Sequence, residues 1–358
     1  MSALARRIAA RIAATGPIPL SDYMADCLTD PEHGYYVTRD PLGRAGDFTT
    51  APEISQMFGE MLGLCLAQAW ADQGGPGSFV LAELGPGRGT LMADVLRVVA
   101  RMPGMAEAAQ VHMVEASPAL RARQRAALGD RAVQWHDRVE ALPDDRPLFL
   151  LANEFFDALP IRQFERAGAG WRERLVGLSD DGSALRPGLG PVAGFPSLDH
   201  RLGTAAGRIV ETCPALPAIT AALAGRIARH GGLALILDYG DWDGTGDTLQ
   251  AVRDHAFADP FAAPGEADLT AHVDFAALAA AAEAAGAAAS AMTPQGLLLE
   301  RLGITARARQ LAQGLAGAAL DTHVAAHRRL THPGEMGRVF KGLAITPREA
   351  PPPAGFDR

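Results

Sequence analysis

The chain has 358 residues, 48% of them apolar and 21% charged, with a net charge of −8. This length fits one large domain with insertions or two domains, and the apolar share is enough to bury a core, which excludes disorder along the whole chain. The acidic balance argues against a general nucleic-acid or anionic-membrane binder, whose surface has to be cationic. Cys27, Cys65 and Cys213 form no CxxC pair, which excludes a disulfide framework and a cysteine zinc site and fits a reducing cytosol. No apolar run approaches the roughly 18 residues of a membrane helix. Lys341 is the only lysine, and alanine is abundant, a pairing that reads as the bias of a GC-rich genome.

The first helix is expected over residues 3–14, with Leu4, Ile8 and Ile12 on one face and a stop at Gly16-Pro17. Its arginines, Arg6, Arg7 and Arg11, with no acid beside them, also fit a transit peptide; the first helix of a folded domain is the preferred reading. A second helix is expected over residues 20–28, then a turn-rich stretch over 30–47. Thr50-Ala51-Pro52-Glu53 reads as a capping box that starts a long helix to about residue 72. From residue 79 the rhythm changes to strand, turn and helix, with strands at 79–84, 111–114, 147–152 and 232–237. Such alternation implies a parallel sheet covered on both faces. Residues 162–208, rich in Gly and Pro with a hairpin-like start, read as an insertion over one sheet edge. An alanine-rich helix is expected over 275–291, strand-containing pieces at 296–302 and 338–345, and a disordered tail after residue 347.

Chemistry concentrates at the carboxyl ends of these strands. Glu83 ends the first strand and runs into Gly85-Pro86-Gly87-Arg88-Gly89 before a helix. Glycines in that turn let backbone approach a ligand, and the first turn of an open parallel sheet is where nucleotide-like ligands bind. The turn is not a phosphate loop, for no Gly-Lys-Ser/Thr follows. Its third glycine also comes one place early for the dinucleotide fingerprint, which weakens a dehydrogenase reading. Glu83 suits a ligand carrying an amino group. Glu115, at the end of the next strand, is placed to accept from both hydroxyls of a ribose. Asp137, after the third strand, is a weaker candidate for an adenine amino group. The fourth strand ends in Asn153-Glu154-Phe155-Phe156-Asp157, whose acids and aromatics suit an active-site mouth. Together these elements describe a class I methyltransferase using S-adenosylmethionine, which has an amino-acid end, a ribose and an adenine but no phosphate. Glu83, Gly85, Gly87, Gly89, Glu115, Asp137 and Asn153 are the expected cofactor residues.

The sequence also resembles the MidA family, whose mitochondrial members are complex I assembly methyltransferases. The resemblance rests on Asp30-Pro-Glu-His-Gly-Tyr-Tyr36, Gly46-Asp-Phe-Thr-Thr-Ala-Pro-Glu-Ile-Ser-Gln56, residues 83–90 and 153–164, Gly246-Asp-Thr-Leu-Gln250, residues 265–275 and Gly337-Arg-Val-Phe-Lys-Gly342. Ala51 departs from the family pattern, which has serine there. The resemblance implies an α/β fold with the Rossmann-like seven-stranded class I sheet, an N-terminal helical region and an insertion. The expected division is a helical cap over 1–72, a cofactor-binding core over 73–161, the insertion over 162–210, the remainder of the core over 211–346 and a tail over 347–358. It further implies methylation of an arginine in a protein substrate, by relation a respiratory complex I subunit, and a bacterial cytosolic protein. No nucleic-acid or membrane partner is expected.

Glu154 and Asp157 are then the candidates to grip a guanidinium, with His272 a third catalytic candidate; Asp274 and His255 are further pocket candidates, and Glu53 is assigned first to the capping box. No metal is expected, since the His272–Asp274 pair lacks a third ligand at suitable spacing. Amino-directed nucleic-acid methyltransferases commonly carry Asn/Asp-Pro-Pro-Tyr/Phe after the fourth strand; this strand ends without prolines and with an added charge. The remaining alternatives are a cofactor-binding assembly chaperone with little turnover and a methyltransferase acting on another substrate class.

Overall fold

The computed structural model describes residues 1–38 and 49–357. The chain divides into two compact units, one of Met1–Phe48, Asp157–Leu216 and Asp243–Asp274, the other of Thr49–Phe156, Pro217–Trp242 and Phe275–Arg358.

The larger unit is built on β1 (Phe79–Leu84), β2 (Ala109–Val114), β3 (Val133–His136), β4 (Leu148–Asn153), β5 (Gly232–Asp241), β6 (Ala288–Ala289) and β7 (Phe340–Thr346). Their order across the sheet is β6-β7-β5-β4-β1-β2-β3. β1 to β5 pair in parallel, and β7 runs antiparallel to both β5 and β6. β1 and β4 are buried along their whole length, as strands covered on both faces must be. Helix Gln56–Asp72 packs Met57, Phe58, Met61, Leu62 and Leu66 into the same core as Leu81, Leu91, Val95 and Phe149. Burying each such side chain stabilises the unit by roughly 1.5–3 kcal/mol. The chain leaves β1 toward β2 and β3 on one side and returns to β4 and β5 on the other. The strand order therefore reverses at β1, and in open sheets of this kind ligands bind outside the carboxyl ends of the strands at such a point.

The smaller unit draws on three separated chain segments. Helices Ala3–Thr15 and Leu20–Thr29 bury Leu4, Ile8, Ile12, Tyr23, Met24 and Cys27 against Ile161, Val176, Ala251 and Leu269. Ser2 caps the first helix, its side chain accepting from the Ala5 N–H at 3.1 Å. Strands Arg162–Ala167 and Gly170–Leu178 form a hairpin that Ile209–Thr212 and Leu185–Ala193 extend.

Several expectations are corrected. The helix predicted from Thr50 to residue 72 is two helices, Ala51–Ile54 and Gln56–Asp72, because Ser55 is extended (φ −162°, ψ 140°) and caps the second through Met57 N–H. The Thr50 side chain makes no cap bond. The helix expected over 275–291 ends at Ala284, before Gly286 at φ +94°. Residues 296–302 lie mostly in helix Gln295–Arg301 rather than a strand, and Leu298 and Leu299 of that helix are buried in the core. The tail is ordered through residue 357, anchored by buried Phe356 and by the Ala354 carbonyl, which accepts from Cys65 Sγ. The two units also cut across the expected domain boundaries: helix Gln56–Asp72 belongs with the large sheet, and the insertion belongs with the N-terminal helices and residues 243–274. Of the turn-rich stretch over 30–47, residues 31–33 turn and Tyr35–Thr38 is a short helix, while residues 39–47, with the first three residues of the Gly46–Gln56 motif, lie outside the described residues.

Candidate active site

At the end of β1, Gly85, Gly87 and Gly89 have φ of +57°, +51° and +84°, the left-handed region that glycine enters without steric cost. A Cβ on Gly85 would meet the Phe155 ring at 3.1 Å, so this turn packs directly against the loop after β4. Gly89 starts helix Thr90–Val99. Thr90 donates from its hydroxyl to Glu53 Oε1 at 2.5 Å, so the side chain assigned to a capping box braces the glycine turn instead.

Glu83 is 3% exposed, and its Oε2 is buried with no hydrogen-bond partner. Burial, reinforced by Asp94, pushes its carboxyl up to about 8, against a Met92 N–H bond that acts the other way. A buried acid with an open oxygen is stabilised by a cation brought to it, since pairing offsets its desolvation.

Glu115, just past β2, accepts from Ser117 N–H at 2.8 Å and from Gln124 Nε2 at 3.2 Å. Burial raises its pKa, while those bonds and Arg121 lower it. Arg121 donates Nε to the Glu115 carbonyl at 2.7 Å and Nη2 to exposed Asp137 at 2.6 Å. Within β2 and β3, His112 and His136 share a hydrogen bond of 2.8 Å. Burial and the His136 neighbour push His112 down to about 4, so the pair is neutral near pH 7.

Glu154 follows β4 with φ +51°, a conformation uncommon for residues other than glycine and frequent at functional sites. Its N–H donates to the Leu237 carbonyl at 2.9 Å, which fixes it beside β5. Its Oε1 accepts from Asn153 Nδ2 at 3.1 Å and from Ala51 N–H at 3.4 Å. Asn153 Oδ1 is buried without a hydrogen-bond partner. Asp238, fully buried near the end of β5, accepts from Phe156 N–H and Tyr239 N–H, both at 3.0 Å.

Glu83, the glycine turn, Glu115, Asn153 and Glu154 thus share one end of one sheet, with Asp137 at its β3 side. Asp157 and His272 belong to the smaller unit. There Asp157 is buried, its carbonyl accepts from Ala271 N–H, and its charge reaches Tyr36, whose hydroxyl donates to Asp268 at 2.9 Å. His272 is exposed, and its N–H donates to Thr248 Oγ1. Asp274 is half-buried in the same unit, and His255 is exposed at φ +61°.

Sequence reading missed Gln124 and Asp238. The signal for Gln124 was a polar residue midway between Leu120 and Leu128 on the buried face of its helix. For Asp238 it was an acid directly after the apolar run over residues 232–237.

Residues 61–293 match the model of a family described as S-adenosyl-L-methionine-dependent methyltransferases. The chain belongs to this family. The methyltransferase is 39% identical, over 96% of its length and 85% of the relative's, to the mitochondrial protein arginine methyltransferase NDUFAF7 homolog of Drosophila melanogaster. It is 36% identical to NDUFAF7 of Homo sapiens, over 96% and 83% of the two chains. A solved protein from Burkholderia thailandensis, bound to S-adenosyl-homocysteine, superposes with a TM-score of 0.86 at 33% identity, covering 99% of this chain and 94% of that one. The cofactor is therefore S-adenosylmethionine, and the methyltransferase has the expected α/β fold. The expected bacterial cytosolic location does not stand: the relatives that match almost the whole chain are mitochondrial proteins, although the Burkholderia structure is bacterial.

Proposed function

We propose that this methyltransferase transfers a methyl group to an arginine of a protein substrate, by family resemblance a respiratory complex I subunit. The observation that carries the cofactor half of this reading is the open, buried Glu83 oxygen beside three left-handed glycines. A carboxylate there fits the ammonium group of the cofactor's amino-acid end, and Glu115 fits its ribose. Asn153 and Asp137 complete the cofactor set. Bound S-adenosylmethionine supplies a methyl group already activated by its sulfonium, so alignment of the acceptor can provide most of the acceleration.

The acceptor half rests on Glu154. A guanidinium stays protonated at neutral pH, and its delocalised nitrogens need carboxylates to hold one of them in line. Glu154 leaves the sheet in a strained backbone conformation fixed by Leu237, and Asp238 holds the next turn. This rigid frame suits a carboxylate that has to aim an acceptor. Asp157, buried in the smaller unit, and His272, exposed there, are proposed as further residues for the substrate protein.

Glu154→Gln keeps the shape but halves the acceptor capacity for a guanidinium. Transfer is expected to fall by about 100-fold or more, while S-adenosylhomocysteine affinity stays within about twofold. Loss of both together would remove Glu154 from the acceptor role. The substrate is tested with labelled S-adenosylmethionine and lysate from a strain lacking the gene. One labelled band mapping to arginine supports the reading. Label in RNA or small molecules moves the substrate class. Bound cofactor with no label anywhere favours an assembly chaperone.

A further inference from the structure

Gln124 is completely buried on the inner face of helix Pro118–Leu128. Each side of its amide is in use. Nε2 donates to the Gly87 carbonyl at 2.9 Å and to Glu115 Oε2 at 3.2 Å, and Oε1 accepts from Trp135 Nε1 at 2.8 Å. An indole N–H can only donate, so the amide oxygen has to face Trp135 and the NH2 has to face Gly87 and Glu115. Turning the amide over would set donor against donor and acceptor against acceptor. One side chain thus keys together the turn after β1, the carboxylate after β2 and a residue of β3. Its backbone is also close: a Cβ on Gly89 would stand 3.3 Å from Gln124 Cα.

The bonding at Glu115 gives this arrangement a direction. A carboxylate has about four lone-pair sites, two on each oxygen. Ser117 N–H takes one on Oε1, Gln124 takes one on Oε2, and the Ala116 N–H also stabilises the charged form. The lone-pair capacity that remains is available to a ribose hydroxyl.

We propose that Gln124 is a positioning residue for the cofactor's ribose: its amide sets the plane of the Glu115 carboxylate so that its remaining lone-pair capacity faces the ribose hydroxyls, and it ties that carboxylate to the glycine turn through Gly87. The proposal rests on the reading of Glu115 as the ribose ligand. Without Gln124 the carboxylate is held from the Ser117 side alone, and its bonding to the ribose is spread over orientations that do not meet the hydroxyls.

The test uses the full chain and calorimetric binding of two ligands, S-adenosylhomocysteine and its analogue lacking both ribose hydroxyls. The ratio of their dissociation constants reads the ribose contacts alone. Gln124→Met is expected to reduce that ratio by about tenfold, with the affinity of the analogue changed by less than about twofold. Trp135→Phe leaves Gln124 in place but held from the Gly87 and Glu115 side alone, and a smaller reduction, of about threefold, is expected. Equal weakening of both ligands in both variants would mean that Gln124 only supports the fold, and the proposal falls. If Gln124→Met does not fold, an unchanged ratio in Trp135→Phe overturns it by itself. Glu115→Gln separates the underlying reading. If that variant keeps the wild-type ratio, Glu115 is not the ribose ligand, whatever Gln124 does.

Discussion

The larger unit places its candidate ligands at strand ends that follow one another along the chain, whereas the smaller unit is held by side chains from distant segments. In the larger unit, Glu83 and Gly89 lie six positions apart, and Glu115 and Asp137 follow at the next two strands. In the smaller unit, Glu211 accepts from Gln163 Nε2 at 2.7 Å, from Thr248 N–H at 2.9 Å and from the Thr248 hydroxyl. Asp247 joins the same network through Gln163 at 2.9 Å and Arg174 at 2.7 Å. One unit is read from local spacing. The other exists only once three chain segments have met, and its polar residues look like ordinary surface until then.

The sharpest way to break this comparison is at the local motif. Gly85→Val puts a β-branched side chain at φ +57° and against Phe155. S-adenosylhomocysteine affinity is expected to fall by more than about 100-fold by calorimetry, with the protein still folded. Retained binding would show that the turn does not approach the cofactor.

A smaller effect, of a different kind, is expected from Glu211→Ala in the smaller unit. Three donors lose their acceptor in a buried site, which costs about 2–4 kcal/mol. Denaturant titration should show that loss, while S-adenosylhomocysteine affinity of the folded protein stays within about twofold. A matching loss of affinity would mean that the cofactor end depends on the distant network, and the contrast between the two units would fail.

The smallest expected effect is in the pH dependence of the ligand-free protein. Folding raises the Glu83 carboxyl from 4.5 to about 8. Between those values the folded protein holds a proton that the unfolded chain has released, so the group's contribution to stability falls as pH rises. Asp94, raised to about 6, adds a slope of the same sign. Thermal melts from pH 5 to pH 8.5 should show wild type losing stability faster than Glu83→Gln, and the difference isolates Glu83. The cationic amino group of S-adenosylhomocysteine should favour the ionised carboxylate and release a proton on binding, which calorimetry in two buffers detects. Identical pH slopes in the two proteins would remove the buried acid from this role.

The order of strands and helices from residue 79 to residue 153 was legible because each element carries its own period and each turn its own glycines. The glycine turn with Glu83, the acid after β2 and the Asn153-Glu154 corner could be found for the same reason. The helix break at Ser55 could not, since a single extended residue between two apolar helical stretches leaves the period almost unchanged. Nor could the ordered tail, where one aromatic, Phe356, is buried beside Gly342 and outweighs the proline-rich composition around it.

The sequence by itself determined the parallel sheet, the cofactor class and the strand ends that carry acids, because those depend on neighbours within a few positions. Only the tertiary structure decided that Gln124 joins Gly87, Glu115 and Trp135, that Glu53 braces Thr90, and that Asp157 and His272 belong to a different unit from Glu154. Each of these depends on which polar groups lose their water when distant segments pack, and a buried group has to find a partner wherever the fold brings one.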